Sequence, residues 1–342
     1  MDDAQKHQVQ PLRIGLIGAG WVTQHHLAAW KNHAARAHVV AITDPITSQA
    51  QLRANDFGIE QVFSSVHQML ERCELDAVDV AAPRETHAEM VCLAAQHGLP
   101  VLCQKPLAPT YEEAVALVAE TQGRTRLMVH ENWRFRPYYR QASDWLQEQR
   151  IGQVVQAQMN FLTSGLIPDE QGRYATIDRQ PFIATLSRAL VMEILIHHID
   201  TLRFLLGDLQ LVHARLGNGC EAMAGEDRAS LVFENASGAT VILMSNLRVW
   251  GEPATKPDEL LLVGERGCIR LSGNSLICQG DRPEQIEYDL PSCYSGSYAA
   301  AIGHFLDRLA DGQPFETSPQ DNLQTLRLVE EIYRVGLRSK QT

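Results

Sequence analysis

The first 130 residues alternate short, continuously apolar runs with helical patterns. Helical patterns follow Gly18-Ala19-Gly20 up to about Lys31, reach from about Glu85 to His97, and cover Tyr111–Thr121. The apolar runs, which we predict to be strands, are Leu12–Ile17, Val39–Thr43, Asp76–Ala82, Val101–Cys103 and Leu127–His130. Strands that are apolar along their whole length and separated by helices are typical of a parallel sheet covered on both faces. The pattern therefore predicts a doubly wound α/β domain.

Beyond about residue 150 the predicted strands follow one another without intervening helices. They are Val154–Phe161, Arg228–Phe233, Ala239–Asn246, Glu259–Val263, Cys268–Leu271, Leu276–Gln279 and Gln285–Tyr288. Helical patterns cover about 189–206, 298–310 and 319–336. This order favours an antiparallel or mixed sheet. Together with the 342-residue length, it predicts two domains, 1–130 and 131–342, with the last helix (320–338) a candidate to pack back on the first.

Composition narrows the class of protein. Hydrophobic residues make up 45% of the chain, charged residues 21%, and the formal net charge is −11. That charge argues against non-specific nucleic-acid binding and against a basic surface for anionic membranes. No apolar run approaches the ~20 residues of a membrane-spanning helix. The seven cysteines are scattered without a CxxC pair, so we expect reduced thiols in a cytoplasmic protein.

A glycine-rich turn follows the first strand. Gly18 and Gly20 precede a helix, where glycines let the backbone approach a pyrophosphate and the helix N-terminus meets its charge. Thr23 stands where a third glycine is usual. Asp44 closes the second strand, and a carboxylate there hydrogen-bonds ribose hydroxyls and repels a 2′-phosphate. The pattern predicts dinucleotide binding, with NAD favoured over NADP. The alternative is a glycine turn and a helix-capping aspartate without a ligand.

Gln104-Lys105-Pro106 comes directly after the predicted strand Val101–Cys103 of the same sheet. Ligands of open α/β sheets bind beyond the carboxyl ends of the strands, so Lys105 is expected to face the cofactor crevice. Pro106 confines Lys105 to extended backbone angles, which defines where its side chain departs. A lysine partly removed from water there could exchange a proton with a substrate hydroxyl. The alternative, which the spacing alone favours, is a solvated lysine at a strand end.

A third candidate site lies in the apolar helix near 189–206. Glu193 and His197 stand four residues apart and share one face of an α-helix, with Asp200 three residues further. A histidine flanked by carboxylates is a proton acceptor held in one tautomer. A metal site is disfavoured because HExxH is absent. A buried core histidine is the other interpretation, and it fits His198 better than His197.

Taken together, these motifs resemble the Gfo/Idh/MocA family of NAD(P)-dependent oxidoreductases over nearly the whole chain. The matching stretches are GAGWVTQHHLAAW, Asp44-Pro45, DAVDVAAPRETHAEMVCLAAQHGLPVLCQKPLA, ENWRFRP, EILIHHIDTLRFLLG and DNLQTLRLVEEIY. The resemblance implies a Rossmann domain in 1–130. It also implies a substrate-binding and oligomerisation domain in 131–342, built on a large, mostly antiparallel open sheet. In many members that sheet pairs subunits into dimers or tetramers.

The resemblance also implies roles for particular residues. Lys105 matches a lysine that transfers a proton or orients the substrate, and His197 matches the usual general acid/base. Glu193 and Asp200 occupy the places of the two aspartates in the family's Asp-x-Gly-x-His-x-x-Asp helix. The residues that we expect around the cofactor are Gly18, Gly20, Trp21, Val22, Asp44, Ala82, Pro83, His87, Gln104 and Lys105.

Three positions depart from the family pattern. Gln104 replaces a glutamate, which removes a negative charge that could support a protonated Lys105. Glu193 is one methylene longer than the usual aspartate, and Leu195 replaces a glycine and narrows the space beside His197. We interpret these departures as the mark of a subgroup with its own substrate.

The activity we expect is reversible hydride transfer between NAD and a secondary alcohol of a sugar, sugar acid or cyclitol. Lys105 and His197 handle the proton, and segment 164–182 is long enough to cover the site as a lid. The expected substrate contacts are Lys105, Asn132, Arg134, Arg173, Glu193 and His197.

Arginines in or near that segment, and those after Asn132, could hold a substrate carboxylate. These are Arg134, Arg136, Arg173, Arg179 and Arg188. The alternative is that they are solvated or pair with Asp169, Glu170 and Asp178. Two functional alternatives stay open: a non-catalytic NAD-binding regulator, and a redox-neutral enzyme that retains its nicotinamide. A cofactor-independent lyase or isomerase is disfavoured because the ribose-binding acid, Asp44, is present.

Overall fold

The computed structural model describes residues 10–338, with Leu337 and Arg338 described by their backbone only. Two compact units are present. The first holds the described residues up to Glu131 together with Tyr298–Asn322, and the second holds Asn132–Ser297 and the described residues from Leu323 onward.

The first unit contains a six-stranded sheet in the order β3-β2-β1-β4-β5-β6, with every neighbouring pair parallel. Its strands are β1 (Leu12–Ile17), β2 (Ala37–Thr43), β3 (Gln61–Phe63), β4 (Ala77–Val80), β5 (Val101–Gln104) and β6 (Leu127–His130). Its helices are α1 (Thr23–Asn32), α2 (Thr47–Phe57), α3 (Val66–Arg72), α4 (His87–Gln96) and α5 (Tyr111–Thr121). The predicted doubly wound domain is confirmed.

Burial of both sheet faces explains the continuous apolar runs. Leu16 of β1 and Val78 and Val80 of β4 are completely buried because helices cover the sheet on either side. The strand order reverses between β1 and β4, and in open α/β sheets this switch point is where ligands bind. Segment 47–72, which carries α2, β3 and α3, was not predicted, since β3 has only three residues and α2 exposes most of its side chains.

The second unit contains an eight-stranded sheet in the order β14-β13-β12-β11-β7-β10-β9-β8, antiparallel except for the β10–β7 pair. Its strands are β7 (Val154–Leu162), β8 (Leu209–Gly217), β9 (Arg228–Asn235), β10 (Thr240–Asn246), β11 (Glu259–Gly264), β12 (Gly267–Ser272), β13 (Ser275–Gln279) and β14 (Glu284–Glu287). The prediction of a large, mostly antiparallel sheet is confirmed. The strand β8 was missed.

One face of this sheet forms a core of large apolar side chains. A buried row crosses six strands in register: Leu231, Leu243, Met159, Leu260, Leu271 and Leu276. The helices of the unit are α6 (Pro137–Gln147), α7 (Ala175–Arg179) and α8 (Ile196–Leu206). Strand β13 contacts α6, and β9 contacts a π-helical turn at Leu190–Leu195. Residues alternate between buried and exposed along β9 because only one face of the sheet is covered.

Two long helices close the chain, α9 (Leu290–Asp311) and α10 (Pro319–Arg338). In the first unit, the backbone N–H of Val129 donates to the carbonyl of Thr317 at 2.9 Å, which extends the edge of β6. In the second unit, Arg203 donates to the Thr325 hydroxyl at 2.9 Å, and Tyr333 donates to Glu226 at 2.5 Å. Residues 298–322, which the sequence division put in the second domain, therefore make contacts within the first unit.

Two further observations concern the whole described chain. None of its helices combines the length and apolar character needed to cross a membrane. All seven cysteines lie in the described part of the chain, and each carries a free thiol.

Candidate active site

The turn between β1 and α1 is built around a glycine that tolerates no side chain. Gly18 has φ +104°, and a Cβ at this position would overlap the carbonyl oxygen of Ala81, which follows β4. A Cβ at Gly20, in contrast, would meet no atom within 4 Å. Helix α1 begins at Thr23 without a side-chain cap, so no side chain at the N-cap position accepts from its first N–H groups. These features fit the pyrophosphate of a dinucleotide, which needs backbone approach and unpaired N–H donors.

Asp44 holds this turn in place. One carboxylate oxygen accepts the backbone N–H of Ala19 at 2.8 Å, and the other accepts the N–H of Ile46 at 2.8 Å. Each carboxylate oxygen has two lone pairs, so both keep a further acceptor position for ribose hydroxyls. The guanidinium of Arg53 donates to the Gly20 carbonyl oxygen at 3.3 Å, which places a positive charge beside the turn. Arg53 was not predicted from the sequence.

The remaining residues expected around the cofactor lie at the carboxyl ends of β1, β4 and β5. Trp21 is 44% exposed and meets the His25 ring edge-on, while the neighbouring Val22 is half-buried. Ala82 and Pro83 follow β4 directly. The two ring nitrogens of His87 lie 2.9 Å from the carbonyl oxygens of Ala82 and Pro106. His87 therefore links the chain after β4 to the chain after β5.

Lys105 lies at the carboxyl end of β5, half-buried, and its peptide bond to Pro106 is cis. Its backbone N–H donates to Oε1 of Gln104 at 2.7 Å. Gln104 is buried, and its amide nitrogen lies 3.0 Å from Nε2 of His26. The Gln104 side chain thus bends back onto the following peptide and connects it to helix α1.

In the second unit, His197 stacks on an aromatic ring. The rings of Trp133 and His197 are 4.3 Å apart and inclined by 15°. The Trp133 indole N–H donates to Asp258 at 2.8 Å, so its ring cannot rotate freely. On the same indole, the Arg136 guanidinium lies 3.3 Å from the ring centroid. Trp133 and Asp258 were not predicted as part of the site.

Asp258 is the centre of a buried polar cluster. It also accepts hydrogen bonds from the Tyr139 hydroxyl at 2.7 Å and from Nε2 of His198 at 2.9 Å, and Arg136 lies 3.3 Å away. Burial by itself raises the pKa of Asp258, but His198, Arg136 and Tyr139 outweigh it and hold that pKa well below its usual range. The description of His198 as a satisfied core histidine fits this contact.

The helix expected near 189–206 differs from the prediction. Leu190–Leu195 forms a π-helical turn, and α8 begins only at Ile196. The helix therefore differs from the regular α-helix that the prediction assumed: Glu193 lies in the π-helical turn and His197 in α8. The N–H groups that open the turn are paired with two distant side chains. Val191 donates to Glu226 at 2.9 Å, and Met192 donates to the Tyr333 hydroxyl at 3.1 Å.

Asp200 takes part in a buried ion pair. Arg134 donates to both of its oxygens, at 2.7 and 2.6 Å, and the hydroxyl of Thr325 donates to it at 3.2 Å. The structure therefore places Arg134, an expected substrate contact, in a bidentate pair within the second unit. Asn132 is also buried, and its amide donates to Ser297 at 2.7 Å.

Segment 164–182 carries a 3₁₀ turn and the short α7, and its arginines follow the alternative interpretation. Arg173 pairs with Asp169 at 2.8 Å with both side chains largely exposed, and Arg188 pairs with Glu330 at 2.6 Å. The expected site residues thus form two groups. The residues expected around the cofactor, Lys105 included, lie in the first unit. The other expected substrate contacts, among them Glu193 and His197, lie in the second.

The geometry of the first unit defines a dinucleotide site, and residues 12–131 match the family model described as "Oxidoreductase family, NAD-binding Rossmann fold". The chain is therefore an NAD-dependent oxidoreductase. Residues 139–270 match the model described as "GFO/IDH/MocA C-terminal domain". The chain belongs to the Gfo/Idh/MocA family.

Several known proteins are similar over nearly the whole chain. A D-apiose dehydrogenase of Paraburkholderia graminis is 30% identical over 95% of this chain and 88% of its own length. An inositol 2-dehydrogenase of Rhizobium meliloti is 26% identical over 96% of this chain and 98% of its own. The crystal structure of an oxidoreductase from Agrobacterium radiobacter in complex with NAD⁺, L-tartaric acid and magnesium superposes with a TM-score of 0.89. It is 28% identical and covers 96% of this chain and 97% of that one. These similarities confirm the prediction of an NAD-dependent dehydrogenase.

Alanine substitutions at the two glycines of the turn distinguish an effect on the stability of the fold from an effect on cofactor binding. We expect Gly18→Ala to destabilise the protein by about 1–3 kcal/mol and to lose NAD binding, because its Cβ overlaps the Ala81 carbonyl. Gly20→Ala meets open space, so it should keep the wild-type melting temperature and weaken NAD binding alone. Thermal unfolding and calorimetric titration with NAD measure the two effects. Wild-type affinity in Gly20→Ala would contradict the assignment of this space to the pyrophosphate.

The depressed pKa of Asp258 makes the second unit sensitive to acid. A carboxyl with a lowered pKa in the folded state contributes stability above its unfolded pKa, about 4, and that contribution is lost as the pH falls further. We expect Asp258→Asn to be less stable than wild type at pH 7, with the difference shrinking toward pH 3. Urea unfolding at both pH values tests this. A difference that is constant with pH would contradict the role of the Asp258 charge.

Proposed function

We propose that the protein catalyses reversible oxidation of a secondary alcohol on a sugar or cyclitol, with Lys105 and His197 handling the proton. The observation that carries the proposal is the similarity over nearly the full chain to relatives named for acting on D-apiose and on inositol. The chain keeps a lysine at the end of β5 and a buried, stacked histidine at the start of α8.

The cofactor supplies the hydride chemistry, since bound NAD accepts hydride at its nicotinamide ring. Gly18, Gly20 and the uncapped N-terminus of α1 would hold the pyrophosphate, and Asp44 the adenosine ribose. Ala82 and Pro83 would line the nicotinamide side. Asp44 also disfavours the 2′-phosphate of NADP by charge repulsion.

Lys105 has the position and charge of an oxyanion-stabilising group. Its backbone is anchored by Gln104, so the ammonium extends from a defined point at the carboxyl end of β5. As the substrate hydroxyl loses its proton, negative charge develops on that oxygen, and an ammonium held beside it lowers the barrier. We assign Lys105 this role, together with exchange of the proton with the substrate oxygen.

His197 is suited to act as the general base. Stacking on Trp133 restricts the ring to one plane, and the Trp133–Asp258 hydrogen bond restricts Trp133 in turn. A base held in one orientation removes a proton without first losing conformational freedom. We assign Glu193, in the π-helical turn, to contact with the substrate beside His197. Asp200 is given no part in proton transfer because it is paired with Arg134.

The arginines favour a neutral polyol over a sugar acid. Of the five candidate arginines, Arg134, Arg136, Arg173 and Arg188 have a carboxylate partner within the second unit, and Arg179 is exposed. A guanidinium that already holds a carboxylate would have to break that pair to bind a substrate carboxylate. We therefore expect neutral sugars and cyclitols to be better substrates than aldonic or uronic acids.

The test is an absorbance assay at 340 nm with NAD and NADP on D-apiose, inositols, neutral sugars and aldonic acids. We expect Lys105→Ala and His197→Ala each to lower kcat by about 10²–10⁴-fold while NAD still binds. Arg282→Ala, at an exposed ion pair with Glu148, is the matched control and should retain wild-type turnover.

Each alternative has its own result in this assay. Turnover retained in both the Lys105→Ala and His197→Ala variants would contradict the proton assignment. Tight NAD binding without turnover on any substrate would favour a regulator. Nicotinamide that stays bound through product formation without net reduction would favour a redox-neutral enzyme.

We also propose that the protein forms a homodimer or homotetramer through the outer face of the eight-stranded sheet. Half-buried apolar side chains cross this face in register, with Val232 opposite Ile242, and Leu261 two strands further. Met244 is 38% exposed on the same face of β10. Apolar side chains on an uncovered sheet face are typical of a surface that pairs with another protein.

The oligomer is tested by light scattering after size-exclusion chromatography. We expect wild type to elute at a multiple of 38.1 kDa and Ile242→Glu to shift to the monomer mass, because a buried charge opposes pairing. A matched change away from this face, Arg282→Glu, should leave the mass unchanged. A wild-type monomer would contradict the proposal.

A further inference from the structure

A buried polar network lies behind Lys105 in the first unit. It joins His26 of α1, Asp79 of β4 and Gln104 at the end of β5. His26 and Asp79 have no solvent exposure, and Gln104 is 8% exposed. Polar groups at this depth are costly unless each has a matching partner, so the network has one consistent arrangement of donors and acceptors.

One group in contact with the network, a backbone N–H, can act only as a donor, and this determines the arrangement of the others. The backbone N–H of Lys105 can only donate, and it lies 2.7 Å from Oε1 of Gln104. The other end of that amide is therefore the NH₂ group, and it faces Nε2 of His26 at 3.0 Å. A donor facing Nε2 requires a lone pair on Nε2, so His26 carries its proton on Nδ1.

Asp79 provides the acceptor for that proton. Nδ1 of His26 lies 2.9 and 3.1 Å from the two Asp79 oxygens. The indole N–H of Trp30 donates to the same carboxylate at 2.7 Å. A carboxylate that receives a ring N–H fixes the histidine tautomer, in the same way as the orienting carboxylate of a catalytic triad.

We infer that His26 is a positioning residue for Lys105: its Nδ1–H tautomer, fixed by Asp79, holds the Gln104 amide in the only orientation that accepts the Lys105 N–H. The inference rests on the proposed role of Lys105. The chain of contacts runs from Asp79 through His26 and Gln104 to the Lys105 backbone, and His26 itself does not act on the substrate.

This network explains why glutamine suits position 104. A carboxylate there would still accept the Lys105 N–H, but its second oxygen would face the lone pair of His26. The repulsion is relieved only when His26 takes a second proton and becomes an imidazolium between Asp79 and residue 104. Glutamine gives the same hydrogen bonds with a neutral ring, so holding Lys105 in place needs no second proton on His26.

The other groups around His26 belong to the same unit. The His130 ring lies 4.3 Å from the His26 ring, and the Tyr298 ring lies 5.6 Å away. His25 is the neighbouring residue on α1, and burial lowers its pKa. Asp79 is the carboxylate of the network, and none of its hydrogen bonds described above leaves the interior.

The tautomer is measured directly on the NAD-bound enzyme. Protein labelled with ¹⁵N-histidine is observed by long-range ¹H–¹⁵N correlation, and the His26 signals are assigned by their loss in His26→Phe. We expect a protonated Nδ1 and an unprotonated Nε2 in wild type. In Gln104→Glu we expect both nitrogens to be protonated at low pH. A protonated Nε2 in wild type would overturn the inference.

Kinetics separate positioning from a structural role. His26→Phe keeps the ring but releases the Gln104 amide, and we expect kcat to fall by about ten- to a hundredfold, with KM for NAD within about twofold. Trp30→Phe is the matched control, since it removes one hydrogen bond to Asp79 and leaves the His26–Gln104 contact. It should lose melting temperature but keep kcat within about twofold of wild type. Equal kcat losses in the two variants would overturn the inference.

Gln104→Glu gives a readout that does not depend on the folding of His26→Phe. We expect the ratio of its kcat to that of wild type to approach one at low pH and to fall as the pH rises and residue 26 of the variant loses its second proton. A parallel pH profile in both proteins would overturn the inference. The Lys105→Ala variant separates this inference from the proposed function. If the proposed role of Lys105 is wrong, this variant retains turnover, whichever tautomer His26 has.

Discussion

The absence of a side chain at Gly18 is the constraint on which the nucleotide half of the molecule depends. Because no Cβ intervenes, the turn after β1 lies directly against the Ala81 carbonyl at the end of β4. This close approach accompanies the hydrogen bond from the Ala19 N–H to Asp44, the proposed ribose-binding acid. Next to the turn, a Cβ at Gly20 would meet only open space.

Buried carboxylates organise both units beyond that contact. Asp79, Asp200 and Asp258 are each fully buried, and each is matched by a different set of donors: a histidine with a tryptophan, a bidentate arginine, and a histidine with a tyrosine and an arginine. Removing one partner from such a group leaves an uncompensated charge in a poorly polarisable interior, which costs about 3–5 kcal/mol. Asp79 and Asp258 thus orient imidazole and indole rings, whereas Asp200 holds a guanidinium.

Much of this molecule could be predicted from local pattern. β1, β6 and α5 begin and end at the predicted residues, because their apolar runs are bounded by polar or turn residues that stop the element. Gly18, Asp44 and Lys105 were singled out because their chemistry depends on position relative to a strand end. The short β3 and the polar α2 carry too little periodicity to be found. Asp79 did leave a signal, since a carboxylate inside the apolar strand β4 needs a buried partner.

The partners of the functional residues could not be predicted, because they come from distant parts of the chain. Asp258 reaches Trp133 and His198 across many residues, and Glu226 with Tyr333 completes the start of the π-helical turn. Periodicity reports which face a residue occupies, but not which side chain from another element meets it there. The start of the π-helical turn depends on such a distant residue too, since Glu226 accepts a hydrogen bond from one of its first N–H groups.

That turn has a consequence for how the site can change over time. A π-helical turn holds one residue more than an α-helical turn of similar length, so deleting a single residue from Leu190–Leu195 would restore a continuous α-helix. Because the wider turn already absorbs its extra residue, side chains on either side of it would keep their directions, and only those inside Leu190–Leu195 would change place. Glu193 would face another direction while His197 stayed in place. A one-residue insertion or deletion, with no substitution at all, is therefore a route by which this scaffold can acquire a different substrate.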